Sequence, residues 1–231
     1  MPWPSAVIFD FDGVLVHSEP LHLLAFQQVL AGEKIELTAD EYYRELVGFD
    51  DRGCFEHVFS QRKLKLDPKT YLRLLTRKKE MMMELIYDRK FGTLPGVNEF
   101  VRGLWRNYPL AICSGAMREE IEAMLEGIGL RDCFPTIVAA QDVKRGKPDP
   151  EGYRLASKLV GKRIKKALKP EDCLIIEDAP TVVESVRAAG FKVLAVTNTY
   201  PANKLKKANY VVSSLEPKVV ARKLPRLKMK G

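Results

Sequence analysis

The sequence predicts a doubly wound α/β fold with a helical insert placed after its first strand. Three observations lead there. Short apolar runs end in small or polar residues, helical patterns alternate with those runs, and one long early stretch has helical periodicity only.

The apolar runs are Ala6–Phe9, Leu110–Cys113, Thr136–Ala140, Leu174–Ile176, Lys192–Val196 and Tyr210–Val212. Their length and β-branched content suit strands of a parallel sheet buried on both faces. Between them, helices are expected at about 97–106, 117–128, 150–160, 180–189 and 215–223. Residues 17–92 hold no convincing strand and read as consecutive amphipathic helices at roughly 20–31, 38–46, 51–60 and 68–89. Gly92, Pro95 and Gly96 stop a helix, so Phe91–Gly96 reads as a linker back into the α/β part. The expected division is an α/β core at 1–16 and 93–231 with the insert at 17–92. Arg222–Gly231 is basic and interrupted by Pro225, with no apolar period, and is expected to fray.

Composition narrows the function classes. With 231 residues, 46% apolar and 29% charged, the chain can bury a full core and is neither disordered nor collagen-like. The apolar stretch Ala6–Val16 is broken by Asp10 and Asp12 and lacks a basic lead, so it reads as neither membrane span nor signal peptide. A cytoplasmic protein is expected. Cys54, Cys113, Cys133 and Cys173 are scattered with no CxxC pair, and read as free, buried thiols. The net charge of +8 is uneven: residues 1–115 carry 15 basic and 16 acidic side chains, residues 116–231 carry 23 and 14. A basic second half favours an anionic partner, either a phosphorylated small molecule or nucleic acid.

The strand ends carry the chemistry. The first run delivers Asp10 and Asp12 to the carboxyl edge of the sheet, where open α/β sheets bind ligands. Residues two apart on extended backbone face one side, so both carboxylates would point into one site, and Gly13 permits a sharp departure of the chain. Carboxylates that close repel unless a cation intervenes or one holds a proton. Bound Mg²⁺, which prefers oxygen ligands and phosphate, would relieve that repulsion. Another apolar run ends in Glu177 and Asp178, a second acidic pair for the same edge. A third ends in Ser114 and Gly115, whose hydroxyl and backbone N–H could cradle a phosphate oxygen before a helix. Lys147 sits between Gly146 and Pro148, placed to neutralise a phosphate or an acidic nucleophile, and Asp149 is expected to cap the helix near Pro150.

Taken in order, Asp10 and Asp12 before Gly13, Ser114 before Gly115, Lys147 between Gly146 and Pro148, and Glu177 before Asp178 resemble the four motifs of the haloacid dehalogenase-like superfamily. The match spans roughly 1–16 and 93–200. The run from Phe9 to His22 is similar to the β-phosphoglucomutase-like branch. The resemblance implies a Rossmann-like core with the insert as a small α-helical cap. It also implies that Asp10 takes the phosphoryl group as an aspartyl-phosphate, with Asp12 as general acid/base. Mg²⁺ would be held by Asp10, the main-chain carbonyl of Asp12 and Asp178, with Glu177 assisting directly or through water. Ser114, Gly115 and Lys147 would bind phosphoryl oxygens. Members that cleave haloalkanoates or phosphonates lack an aspartate at the position of Asp12, so its presence points to phosphate esters. Three residues depart from the branch: His17 stands where aspartate is usual, Ala179 where serine is, and Val182 where glycine is.

The cap carries the expected specificity residues His22, Gly48, Asp50 and Arg52. Mutases of the branch hold a second phosphate with a cap arginine three residues after a glycine. Here Gly48 puts Asp51 at that position and Arg52 one residue late, and an acid there would repel phosphate. The expected function is therefore a Mg²⁺-dependent phosphatase of a small phosphorylated metabolite, a sugar phosphate foremost. A phosphosugar mutase is the second reading. A nucleic-acid-binding protein using Lys162, Arg163, Lys165, Lys166, Lys204, Lys206, Lys207 and the basic tail is the third. A monomer without membrane or nucleic-acid partners is expected.

Overall fold

The computed structural model describes residues 3–46, 49 and 51–229. The strands are β1 (Ala6–Phe9), β2 (Val16–His17), β3 (Gly92–Thr93), β4 (Leu110–Cys113), β5 (Thr136–Val138), β6 (Cys173–Glu177), β7 (Lys192–Val196) and β8 (Tyr210–Val212). The α-helices are α1 (Glu19–Ala31), α2 (Ala39–Glu41), α3 (Asp51–Gln61), α4 (Pro68–Tyr87), α5 (Val97–Trp105), α6 (Arg118–Gly127), α7 (Glu151–Arg163), α8 (Pro180–Ala188) and α9 (Pro217–Lys223). They form two compact units, Met1–His17 with Gly92–Gly231, and Ser18–Phe91.

In the first unit six strands form one parallel sheet in the order β5-β4-β1-β6-β7-β8. Counted along the chain within that sheet, this is the 3-2-1-4-5-6 order of doubly wound nucleotide-binding folds, whose ligand crevice lies where the winding reverses. Here the reversal falls between β1 and β6. Their register is fixed with Phe9 opposite Ile176. The strands are apolar throughout because both faces are covered. Phe9 meets Phe100 and Phe134 edge-on at 6.1 and 5.5 Å on one face. Ala6 and Ile8 pack with Ala111, Tyr153 and Val183 in the other layer. Helix α5 shows the matching pattern, burying Val97, Phe100, Val101 and Leu104 at the spacing of one helical face.

Three details differ from the sequence expectations. Val16 pairs with Thr93 and His17 with Gly92, so the supposed linker includes a two-residue antiparallel ribbon. A strand that short has no alternation to read. The run at 136–140 leaves the sheet after Val138, because the Asp142 carboxylate accepts from Ala139 N at 2.8 Å and closes a tight turn. The tail is pinned through the described residues: Leu224 and Leu227 are buried, and Lys228 N donates to the Tyr108 hydroxyl at 2.9 Å. All four cysteines are free and buried. Among the described residues no helix is long and apolar enough to cross a membrane.

The second unit is helical. Asp67 caps α4 by accepting from Lys69 N and Thr70 N at 3.0 and 3.1 Å, with Pro68 at the first helical position. The helix expected over 38–46 divides into α2 and a π-helical turn, Tyr42–Leu46; there the Tyr42 hydroxyl donates to Glu19 at 2.8 Å. Phe26 and Phe55 stack edge-to-face at 5.1 Å in a core that includes Leu30 and Leu74. A charged group is buried in the same unit. Lys78 is 1% exposed, pairs with Asp51 at 2.7 Å and donates to His22 Nδ1 at 3.0 Å. Burial, then the Lys78 charge, holds the His22 imidazole well below its usual pKa.

Candidate active site

Strands β5, β4, β1 and β6 are neighbours in the sheet, and the loops that follow them supply the site. Asp10 continues the ladder, its N–H donating to Ile176 O at 2.8 Å, which places its carboxyl beside the end of β6. Gly13 takes φ +76°, and a Cβ there would overlap the Asp178 carboxylate and lie 2.8 Å from Thr199 Oγ1. The backbone must therefore be glycine where the first loop passes the second acidic pair.

Asp10, Glu177 and Asp178 each place one carboxylate oxygen within 4.8 Å of the others, and all three are buried. Their electrostatics follow from that crowding. Burial raises the Asp10 pKa well above the carboxylate range, with Lys147 opposing. Burial and then Glu177 push Asp178 up to about 7. Three hard oxygen donors in a buried, mutually repelling set fit a divalent cation, and the residues that would hold it here are Asp10, Glu177 and Asp178. Glu177 has structural partners as well. Its Oε2 accepts from Asp178 N and Ala179 N, both at 2.6 Å, and its Oε1 accepts from Lys147 Nζ and the Tyr153 hydroxyl, both at 3.1 Å. Through these four donors Glu177 also fixes the loop and the lysine.

Lys147 bridges the cluster, lying 2.5 Å from Asp10 Oδ1 and 3.1 Å from Glu177 Oε1. Burial alone would lower its pKa, but Asp10 and Glu177 outweigh burial and hold the ammonium charged. Ser114 Oγ donates to Asp12 Oδ2 at 3.3 Å and accepts from Ala116 N at 2.9 Å. Gly115 is exposed beside it, with open space where a side chain would project. Asp12 is half-buried, and its carboxyl pairs with Ser114 while the triad forms without it.

Asp10, Asp12, Ser114, Gly115, Lys147, Glu177 and Asp178 thus lie at one sheet edge. Asp149 Oδ1 accepts from Glu151 N at 2.9 Å at the start of α7. Of the insert residues, His22 pairs with Lys78 inside its unit and Arg52 is exposed on α3; Gly48 and Asp50 lie outside the described residues. His17 is exposed on β2.

Sequence reasoning missed three participants. Tyr153, one helix away, orients Glu177. Thr199 Oγ1 donates to Asp178 Oδ2, and Asn198 Nδ2 donates to Gly13 O at 2.8 Å. The last two follow the end of β7, so the rule that strand ends build the site could have flagged them. Tyr153 gave no such signal, since a tyrosine on an apolar helix face reads as core.

A family profile described as "Haloacid dehalogenase-like hydrolase" matches residues 7–196. The chain is 28% identical over 192 residues to fructose-1-phosphate phosphatase YqaB of Escherichia coli K12, covering 83% of this chain and 96% of that one. It is 29% identical over 216 residues to the chloroplastic 5-amino-6-(5-phospho-D-ribitylamino)uracil phosphatase of Arabidopsis thaliana, 93% of this chain but only 55% of that relative's length. In fold it superposes on CbbY from Rhodobacter sphaeroides in complex with phosphate, with a TM-score of 0.81 at 22% identity, covering 98% of this chain and 99% of that one. On the profile match, the chain belongs to the haloacid dehalogenase-like hydrolase family.

Proposed function

We propose that the protein is a Mg²⁺-dependent phosphatase of small phosphorylated metabolites, sugar phosphates foremost, working through a phosphoryl group carried on Asp10. One observation carries the reading: Lys147 joins Asp10 to Glu177 at 2.5 and 3.1 Å, beside the buried oxygens of Asp10, Glu177 and Asp178. Phosphoryl transfer asks mainly for positioning and charge neutralisation, which a fixed ammonium and a caged cation supply. A bound divalent ion would neutralise charge on the phosphoryl oxygens.

The chain's own groups divide the work. The Asp10 carboxylate attacks phosphorus as the ester P–O bond breaks, and Asp12 gives its proton to the departing oxygen. Asp12 then takes a proton from water as that water attacks phosphorus, the bond to Asp10 breaks and inorganic phosphate leaves. Ser114 orients Asp12 through its hydroxyl, Gly115 N–H and Lys147 receive phosphoryl oxygens, and Glu177 keeps Lys147 in place. The helical insert is proposed to serve as the cap that sets specificity, through the residues the sequence singled out there: His22, Gly48, Asp50 and Arg52. The relatives support this choice, since two of them are named as phosphatases of phosphorylated small molecules.

A phosphosugar mutase has weaker support. The position three residues after Gly48 holds Asp51, whose carboxylate pairs with Lys78 at 2.7 Å and would repel a second phosphate. The test is phosphate release across sugar phosphates, nucleotides and other small esters, with Mg²⁺ and with EDTA. Release that needs Mg²⁺ and vanishes in Asp10→Asn is expected; conversion of a sugar 1-phosphate to the 6-phosphate without net release would overturn it.

A further inference from the structure

A cavity of about 480 Å³ lies beside α7, and its walls carry Arg154, Lys158, Lys162, Lys165 and Lys166 with no acidic residue among them. Leu168, Pro170 and the fully buried Phe191 supply its apolar part. Pro170 and Phe191 stand just before β6 and β7, so the cavity reaches the amino ends of those strands. The acidic site lies at their carboxyl ends, and none of its residues lines this cavity.

Arg154, Lys158 and Lys162 recur every fourth residue of α7, so they form one row ~12 Å long. An ordinary basic helix face would stand open to water, but here the chain folds back tightly after the helix. A Cβ on Gly161 would come within 2.7 Å of Lys166 O, and Lys165 holds φ +54°. That close return adds Lys165 and Lys166 to the row and gives it a wall. Lys166 Nζ donates to Ser5 Oγ at 3.2 Å, which ties the wall to the residue before β1. Arg154, Lys158, Lys162 and Lys165 have no ion-pair partner among the described residues. Like charges four apart on a helix repel, and nothing in these walls offsets them.

We propose that this cavity binds a small linear condensed phosphate, of which inorganic triphosphate is the simplest example. A chain of phosphates lays its charges along the row, where a single phosphate would meet only part of it. The volume is that of a small-molecule site. The one aromatic ring among the described wall residues, Phe191, is fully buried and has no face free to stack on a nucleobase, which argues against a nucleic-acid strand. The inference does not rest on the phosphatase reading, because the two sites share no residue.

The experiment is calorimetric titration of the full chain with inorganic triphosphate, in EDTA so that no metal bridges the anion to the acidic site. The variant Lys158→Gln/Lys162→Gln/Lys165→Gln, all exposed, should bind at least about tenfold more weakly on losing three charged contacts. It should release phosphate from small esters as the parent does. Arg163→Gln/Lys204→Gln/Lys206→Gln removes three exposed cations outside the cavity and should bind triphosphate like the parent. Orthophosphate should bind at least about tenfold more weakly than triphosphate. The proposal is overturned if triphosphate does not bind, if the cavity variant binds unchanged, or if both variants weaken alike, the sign of diffuse charge alone. It also fails if orthophosphate binds as tightly as triphosphate, or if an oligothymidylate of equal charge binds more tightly.

Discussion

Lys147 Nζ and Glu177 Oε1 stand 3.1 Å apart, and the glutamate is fully buried with every hydrogen bond it accepts directed at a neighbour of Asp10 or at the loop itself. Glu177→Gln would turn an amide NH₂ toward donors and strip Lys147 of one counter-charge. Urea unfolding should show a loss of about 2–4 kcal/mol, because a buried charge and donors are left without partners. Tyr153→Phe removes a single donor and should cost only about 1 kcal/mol.

Gly13→Ala tests the close passage of the first loop. The added methyl meets the Asp178 carboxylate at a left-handed backbone position, so Asp178 must move. Phosphate release should fall by about a hundredfold or more, on the sensitivity of catalysis to displacements near 1 Å. Stability should fall by only about 1–2 kcal/mol. Equal activity in steady-state assays would contradict the fit described.

Mg²⁺ should stabilise the folded protein by relieving repulsion among Asp10, Glu177 and Asp178. At a hundred times the dissociation constant the gain should be about 2.7 kcal/mol, read as a rise in the thermal midpoint. Asp178→Asn should abolish most of that rise while raising the stability of the metal-free protein.

His22 gives a pH test confined to the helical unit. Its folded pKa lies well below the ordinary 6.5, so below that pH the unfolded chain binds the proton that the native state refuses. Stability from the neutral imidazole is complete above 6.5 and is lost as pH falls toward the folded value. His22→Gln should therefore lose less stability than the parent between about pH 6.5 and 5 in denaturant titrations.

Asp51→Asn leaves Lys78 buried without its counter-charge. Since the Asp51 side chain is 36% exposed, water screens part of the pair, and the expected cost is about 1–3 kcal/mol. A variant as stable as the parent would show that solvent reaches the ammonium.

The sheet and the acidic edge were legible because their signals are local. Asp10, Ser114, Glu177 and Asp178 each follow an apolar run, and a buried parallel strand can expose its chemistry only at its ends. What stayed hidden depends on partners distant in the chain. Lys78 sits in a helix crowded with lysines, where only its burial against Phe26 and Asp51 marks it out. The ribbon of β2 and β3 is two residues a side, too brief for any period, and Leu224 and Leu227 are too few to foretell that the tail is fastened.

The central place of β1 has a consequence for the order of events during synthesis. Of the six sheet strands it leaves the ribosome first, yet both of its neighbours, β4 and β6, come later, the second beginning at Cys173. At ordinary translation speeds of roughly 5–20 residues per second, an oily segment tipped with two acids waits about ten to thirty seconds for its second flank. A chaperone-poor expression host should therefore lose nascent chains stalled between β4 and β6 more readily than chains stalled beyond β6.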